Sequence, residues 1–260
     1  MNAPPLLLRR DGAIAWLRLN RPQSLNALDV PLARALADAL AEVAAPDSGV
    51  RAIVLEGAGR AFCAGGDLNC LRADPQPAAR ELIGALHEAI LRLDALPLPV
   101  LACLHGTVAG AGVSLALACD LAIAADDAQF NLAYVNIGAS CDGSSSWSLP
   151  RVVGLRRAME IALLGETFDA PTALRLGLVN RIVPAAELAS ETARLAQRLA
   201  EGPTLALGAM KRLLRDAPQR DLPRQLDAEQ AAFLQCAATS DFRGALDAFA
   251  ARKRPRFAGR

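Results

Sequence analysis

The chain has 260 residues, of which 53% are hydrophobic and 4% are aromatic. This length allows one large domain, or a domain with an appendage, around a mostly aliphatic core. The net charge is +1 with both signs interspersed, which argues against a surface for nucleic acid or for an acidic membrane. Six scattered cysteines show neither C-x-x-C spacing nor an accompanying histidine cluster, which argues against disulfides and against a metal site.

The N-terminus lacks the basic and then apolar pattern of a secretion signal. Charged residues also interrupt the long apolar runs before they reach the length of a membrane span. These features predict a cytoplasmic protein with no membrane contact. Residues 252–256 form the one strongly basic segment, and a solvated tail is its simplest interpretation.

Apolar segments alternate with helical patterns over the first 183 residues. Predicted strands cover residues 6–10, 13–19, 50–55, 99–104, 119–124 and 179–183. Leu32, Leu36 and Leu40 repeat close to helical spacing after Asp29, which predicts a helix with Asp29 as its N-cap. A second helix is predicted over residues 78–95. This alternation is typical of an α/β fold with covered sheets.

Beyond Pro184 only helical patterns remain, with prolines at their breaks. The predicted helices cover residues 186–201, 203–216, 223–238 and 240–252. No low-complexity linker precedes them. We therefore expect these helices to pack on the α/β part or on a neighbouring copy of the chain.

Two segments rich in glycine and alanine follow predicted strands, at residues 60–68 (RAFCAGGDL) and 105–112 (HGTVAGAG). Small residues let a ligand approach the backbone and leave N–H groups free to donate outward. Two such loops side by side could aim two amide donors at one oxygen, the arrangement that stabilises an oxyanion. Tight turns that merely contain glycine are the alternative.

These segments resemble the oxyanion-hole loops of the crotonase superfamily, the enoyl-CoA hydratase/isomerase family. The likeness continues in order through residues 21–28, 118–124, 149–154, 174–180 and 252–257. The resemblance implies an α/β spiral of β-β-α units over residues 1–198, followed by a C-terminal helical region over residues 199–260. It further implies an acyl-CoA thioester substrate, no bound cofactor or metal, and a homotrimer that often stacks into a hexamer.

On this resemblance, the two oxyanion donors are the backbone N–H groups of Gly66 and Ala111. Ala111 stands where most members have glycine, and it keeps its N–H at little cost if φ stays negative. Helical residues follow it, so this N–H is expected at a helix N-terminus, where the dipole favours negative charge. The other implied contacts with CoA or substrate are Ser24, Leu25, Ala27, Ala64, Gly65, Asp67, Leu68 and Tyr134, with Lys253 and Phe257 reaching the ligand of a neighbour.

Residues 25–28 could equally form a simple strand-to-helix turn. The glycines at 106, 110 and 112 fit neither the Rossmann pattern nor the P-loop pattern, and no Gly-Lys-Ser/Thr occurs. We therefore expect no nicotinamide or flavin.

Family hydratases use two glutamates, one as base toward water and one as acid toward the α-carbon. The matching positions here hold Ser114 and Tyr134, and neither side chain readily replaces a carboxylate that must exchange protons near neutral pH. Glu81 and Glu88 lie on the intervening predicted helix, outside the motif. Hydration by the two-glutamate route is therefore not expected.

The carboxylate that is present is Asp142. It aligns with the aspartate that moves protons in several enoyl-CoA isomerases of the family, including the ring-epoxide phenylacetyl-CoA isomerases and, in part, the dienoyl-CoA isomerases. One carboxylate suits isomerisation, because the same group can remove a proton from one carbon and return it to another. An Asp-Gly pair before three serines is also a good turn and helix-cap sequence, which is the alternative for Asp142.

His87 aligns with the histidine of 4-chlorobenzoyl-CoA dehalogenase, whose nucleophilic aspartate aligns with Asp142. In that chemistry Asp142 would attack an aryl-CoA ring, and His87 would activate water against the resulting ester. Leu86 and a shorter preceding loop depart from that enzyme. Packing at a helix boundary beside Ile83 and Leu91 is the simpler account of His87.

The sequence therefore predicts an acyl-CoA enzyme that stabilises an enolate, with an enoyl-CoA isomerase favoured. An enoyl-CoA hydratase, an aryl-CoA dehalogenase that uses Asp142 and His87, and a non-catalytic CoA-binding scaffold stay open as alternatives. The acyl group is not encoded by any residue type in the motifs.

Overall fold

The structure is a computed structural model that describes residues 3–260. Its strands are β1 (Leu6–Asp11), β2 (Ile14–Leu19), β3 (Ala52–Gly57), β4 (Ala61–Cys63), β5 (Val100–Leu104), β6 (Thr107–Ala109), β7 (Leu121–Ala125), β8 (Gln129–Asn131), β9 (Phe168–Asp169) and β10 (Arg181–Val183). Its helices are α1 (Val30–Ala44), α2 (Leu68–Leu71), α3 (Pro75–Ala95), α4 (Ala111–Ala118), α5 (Ser145–Val153), α6 (Leu155–Leu164), α7 (Ala170–Arg175), α8 (Leu188–Ala200), α9 (Thr204–Asp216), α10 (Leu222–Ala237) and α11 (Ser240–Ala250).

The strands form two sheets. The larger has the order β1-β2-β3-β5-β7-β10, with β1 antiparallel to β2 and every other pair parallel. The smaller has the order β4-β6-β8-β9, with only β9 antiparallel to its neighbour. The pairs β3–β4, β5–β6 and β7–β8 each contribute one strand to each sheet. The chain therefore advances as a spiral that extends both sheets together.

All six predicted strands are confirmed, with ends displaced by about two residues or fewer. The predicted helices after Asp29, over 78–95 and beyond Pro184 are also confirmed. The four strands of the smaller sheet were not predicted, because two or three residues are too few to show an alternating pattern. As a consequence, the two glycine-rich loops leave β4 and β6 of the smaller sheet, not the strands predicted at 50–55 and 99–104.

Alternation along β2 explains how the core divides. Ala15 and Leu17 face the main core between the sheets and the helices α1, α3 and α4, whereas Ile14 and Trp16 face the opposite side of the larger sheet. Helix α8 covers that second side with apolar side chains that include Leu195. The inner strands β3, β5 and β7 of the larger sheet are mostly buried on both faces, as expected for parallel strands.

Helix α9 is fastened to the core by charged side chains. Lys211 Nζ lies 2.9 Å from Asp120 Oδ2, and Arg215 Nη2 donates to Asp120 Oδ1 at 2.7 Å. A second Arg215 nitrogen donates to Asp94 Oδ1 at 2.6 Å. Burial lowers the pKa of Lys211, with Asp120 opposing that shift. The ion cluster holds the start of the C-terminal helical region against its own chain.

Helices α10 and α11 bury no hydrophobic side chain. Their large exposed apolar residues are Leu222, Leu226, Phe233, Leu234, Leu246 and Phe249. No helix within residues 3–260 is both long and apolar enough to cross a membrane.

Candidate active site

Parallel pairing of β4 with β6 places the loops that follow these strands next to each other. A Cβ added at Gly65 would lie 3.2 Å from the carbonyl oxygen of Ala109, and Gly65 has a φ of +104°. A Cβ added at Gly112 would lie only 2.3 Å from the carbonyl oxygen of Cys63. The two loops therefore pack backbone against backbone, and glycine is required where they touch.

The N–H groups of Gly66 and Ala111 make no hydrogen bond to protein groups in the part of the chain that the structure describes. Their neighbours do: the N–H of Asp67 donates to the carbonyl of Leu28 at 2.8 Å, and the N–H of Gly110 donates to that of Asn131 at 2.9 Å. Ala111 opens α4 and does not have a positive φ. Adjacent loops thus present two free amide donors, one of them at a helix N-terminus, where negative charge is stabilised.

The segment before α1 runs alongside the first of these loops. The N–H of Ala64 donates to the carbonyl of Leu25 at 3.0 Å, and the N–H of Leu28 donates to that of Gly65 at 2.7 Å. Asn26 is fully buried, and its Nδ2 donates to two backbone carbonyls of the β3–β4 connection at 2.8 Å each. The predicted CoA contacts at Ser24, Leu25, Ala27, Ala64 and Gly65 therefore belong to one continuous edge.

Arg21 ties this edge together. Its Nη2 lies 3.0 Å from Asp67 Oδ2 and 3.2 Å from Asp29 Oδ2, and its Nη1 donates to the carbonyl of Ala27. The Asp67 carboxylate also accepts from the N–H of Asn69, so it caps α2. Asp67, predicted as a ligand contact, thus has its side chain engaged within the protein. Leu68, the next predicted contact, is exposed.

The structure places Asp142 beside both positions where family hydratases carry glutamate. Tyr134 Oη donates to Asp142 Oδ1 at 2.5 Å, and Ser114 Oγ donates to the Asp142 carbonyl at 3.0 Å. Helix α5 begins at Ser145, whose N–H and Oγ both donate to that same carbonyl. The Asp142 carboxylate itself makes no helix cap. The helix-cap interpretation of this side chain is therefore wrong.

Ser114, on α4, packs against the loop that contains Asp142 and Gly143. Its side chain is fully buried, one helical turn beyond Ala111. A Cβ added at Gly143 would lie 2.9 Å from Ser114 Cβ and 3.1 Å from Leu86 Cδ2, and Gly143 has a φ of +57°. Sequence reasoning missed this role of Ser114. Gly143, directly after Asp142, was the one residue whose type could have indicated a close contact between this loop and another element.

Helix α3 lines the space between the two amide donors and Asp142. Leu82 Cδ2 lies 3.6 Å from the position of a Cβ at Gly66, and Leu86, one turn later, reaches Gly143. His87 follows on the exposed side of the same helix. It lies in the middle of α3, inside the helix predicted over residues 78–95. Within the described chain, no hydrogen bond joins His87 to Asp142.

Burial raises the pKa of two ionisable side chains near the site, Tyr134 and Cys63. Burial raises the pKa of the Tyr134 phenol far above its ordinary value, and the neighbouring Asp142 charge raises it further. Tyr134 therefore stays protonated and acts as a hydrogen-bond donor. Burial also raises the pKa of Cys63 to about 12, so this thiol beneath the oxyanion loops stays neutral. Neither of these two groups is therefore suited to exchange a proton near neutral pH.

Lys253 and Phe257 do not join this cluster within one chain. Arg51, directly before β3, donates to the carbonyl of Phe257 at 3.1 Å, whereas the site loops lie beyond the other end of β3. Lys253 is exposed near the end of α11. Their predicted contact with a neighbour's ligand stays a prediction. Within residues 3–260, no group of three or more His, Cys, Asp or Glu side chains is arranged to hold a metal ion.

The comparisons agree with this geometry. The family described as Enoyl-CoA hydratase/isomerase matches residues 9–260. A 1,2-epoxyphenylacetyl-CoA isomerase of Escherichia coli (strain K12) is 37% identical over 259 residues, which cover 98% of each chain. A 4-chlorobenzoyl coenzyme A dehalogenase-2 of Arthrobacter sp is 38% identical over 216 residues, or 82% of this chain and 78% of that protein.

Among solved structures, the chain superposes on an enoyl-CoA hydratase from Bacillus anthracis with a TM-score of 0.94. The two are 28% identical, and the superposition covers 98% of this chain and 100% of that one. Fold, loop geometry and sequence therefore lead to one conclusion: the chain belongs to the enoyl-CoA hydratase/isomerase family, within the crotonase superfamily.

Proposed function

We propose that the protein is an enoyl-CoA isomerase that shifts a double bond with a single carboxylate. The observation that carries this proposal is the placement of Asp142. It stands against Ser114 and Tyr134, the two positions that hold the glutamates of family hydratases. A site with one carboxylate can move one proton between two carbons, but it lacks a second group to activate water.

In this proposal, the thioester carbonyl of a 3-enoyl-CoA accepts hydrogen bonds from the N–H groups of Gly66 and Ala111. Asp142 removes a proton from C2, and the electron pair of that C–H bond passes into a dienolate whose oxygen carries the negative charge. The protonated Asp142 then returns the same proton to C4. The double bond moves from C3–C4 to C2–C3, and the carboxylate is regenerated.

The amide donors supply the electrostatic part of this chemistry. Removing one such donor from an oxyanion hole typically costs about 10²–10³ in rate. Coenzyme A takes part as a portion of the substrate and is held along the edge formed by residues 24–27 and 64–68. The relatives support an acyl-CoA thioester, since the names of both the isomerase and the dehalogenase refer to CoA esters.

We also propose assembly into a homotrimer or a hexamer. Helices α10 and α11 expose six large apolar side chains and bury none, which is unusual for a chain that works alone. Assembly would also bring Lys253 and Phe257 of one copy toward the CoA edge of another.

The test is an absorbance assay with a matched pair of substrates, a 3-enoyl-CoA and the corresponding 2-enoyl-CoA. The isomerase should create the conjugated product from the 3-enoyl substrate. Asp142→Asn should lower turnover by about 10²–10⁴-fold, the usual contribution of a proton-transfer group. Affinity for the CoA portion should change little. Asp127→Asn, at an exposed turn between β7 and β8, is the matched control.

Other results would replace the proposal. Loss of conjugation from the 2-enoyl substrate would identify a hydratase. Halide release from a halobenzoyl-CoA, abolished by His87→Gln, would identify a dehalogenase. CoA binding without turnover of any of these substrates would favour a non-catalytic CoA-binding scaffold protein.

A further inference from the structure

Tyr134 is the only tyrosine of the chain, and it lies at the centre of a small hydrogen-bond chain. Its Oη lies 2.5 Å from Asp142 Oδ1 and 3.3 Å from Ser114 Oγ. Each hydroxyl has one proton. Ser114 donates its proton to the Asp142 carbonyl at 3.0 Å, and Tyr134 donates its proton to the carboxylate. The contact between Ser114 and Tyr134 therefore has no proton of its own while Asp142 is ionised.

We infer that Tyr134 is a positioning residue that holds Asp142 through Oδ1 and leaves Oδ2 as the oxygen that exchanges the substrate proton. This inference rests on the proposed isomerase function and adds to it. Tyr134 was predicted to be an acyl-group contact. The geometry assigns its hydroxyl to the carboxylate instead, and Asp142 Oδ2 has no hydrogen-bond partner among the residues described.

The backbone of Asp142 is held as firmly as its side chain. Ser114 Oγ and Ser145 Oγ both donate to its carbonyl, at 3.0 and 2.9 Å. Gly143 fits against Ser114 with no room for a side chain. With the backbone fixed, one hydrogen bond to Oδ1 is enough to fix the plane of the carboxylate. A fixed carboxylate meets both carbon positions of the substrate without reorientation.

The hydrogen bonds among Ser114, Tyr134 and Asp142 also suit the second step of the proposed reaction, in which Asp142 returns the proton to the substrate. Once Asp142 carries the substrate proton on Oδ2, Oδ1 is the carbonyl oxygen of a neutral carboxyl group and still accepts the hydrogen bond from Tyr134 Oη. Ser114 keeps its bond to the Asp142 carbonyl throughout. The polar groups around a protonated Asp142 therefore stay paired in this partly buried setting.

The first test needs no substrate. Because the chain has one tyrosine, protein labelled with ¹³C at the tyrosine Cζ gives one carbon signal from this residue type. A phenol that donates to a carboxylate should resonate downfield of one that donates to an amide. We expect the signal of the wild type downfield of that of Asp142→Asn at neutral pH. Coincident signals would overturn the inference, whatever the enzyme catalyses.

The second test is kinetic. Hydrogen bonds to charged groups contribute about 1.5–3 kcal/mol, so Tyr134→Phe should lower kcat by about 10- to 100-fold while KM changes by less than about twofold. Ser190→Ala, which removes an exposed hydroxyl on α8, is the control and should change neither quantity.

The two tests separate the inference from the proposed function. A raised KM with an unchanged kcat would return Tyr134 to an acyl contact and overturn the positioning role. If no isomerase activity is found but the carbon signal shifts as expected, the contact with Asp142 holds and the proposed reaction fails.

Discussion

The pKa of Tyr134 is changed by burial and by one neighbouring charge. Burial disfavours the phenolate, and the adjacent Asp142 charge disfavours it further, so the pKa of Tyr134 lies far above the ordinary value of about 10. The phenol should therefore remain protonated in the folded wild type at pH values where an ordinary tyrosine ionises. Asp142→Asn removes the charge but not the burial, so the pKa should fall part of the way toward the ordinary value.

Ultraviolet absorbance of tyrosinate, recorded against pH, measures this effect on a single residue. The fold must be monitored by circular dichroism in the same samples, because unfolding exposes the phenol. A wild-type phenol that ionises at the ordinary tyrosine value while folded would contradict the burial of Tyr134.

For single residues, the sequence indicated which loops meet at the candidate site better than it indicated which side chains bond to each other there. Gly66, Ala111 and Asp142 were selected from motif positions, and the structure brings their loops together. From the sequence, Ser114 was notable only because it has no carboxylate at a position matched to a hydratase glutamate. Its bond to Asp142 joins residues 28 positions apart, and no local pattern encodes such a distance. The hydrogen bond from Arg21 to Asp67, 46 positions away, was missed for the same reason.

Among the elements, β4, β6 and α4 fix the spacing of the two amide donors. We expect Gly112→Ala to disturb that spacing, because its Cβ would lie 2.3 Å from the carbonyl oxygen of Cys63 and backbone must move. Overpacking of this kind costs about 1–3 kcal/mol, and a displacement of about 1 Å at a site can cost about 10²-fold in rate.

Thermal unfolding and the 3-enoyl-CoA assay measure both consequences. The matched variant is Gly84→Ala on the exposed face of α3, where a new Cβ would meet nothing within 4 Å. It should keep full activity and gain up to about 1 kcal/mol from helix propensity. Equal behaviour of the two variants would show that the loop contact is not a constraint.

The elements themselves were predicted unevenly, for a physical reason. The strands β2, β3, β5 and β7 of the larger sheet, with five or six residues each, are mostly buried on both faces, so they stand out as apolar runs. Strands of the smaller sheet hold two or three residues and owe their existence to pairing with neighbours. These short strands carry the site loops, so the part of the fold nearest the chemistry was the hardest to predict.

At the scale of the whole molecule, the last two helices expose six large apolar side chains. Phe249 is 84% exposed, and the proposed assembly would cover such residues. Sedimentation should give a mass about three or six times the 27.2 kDa of the chain. Phe249→Asp should weaken assembly, since a charge buried without a partner is costly. A wild-type protein that sediments as a monomer at micromolar concentration would refute the assembly.

The close fit of Ser114 against Gly143 has an evolutionary consequence. Ser114 is fully buried against the loop that presents Asp142, so we expect a glutamate at position 114 to compete with this loop for the same volume. Ser114→Glu alone should cost the existing activity before it creates a new one. A route from one proposed chemistry to the other would therefore have to change the Asp142 loop and helix α4 together, and no single substitution at position 114 would complete it.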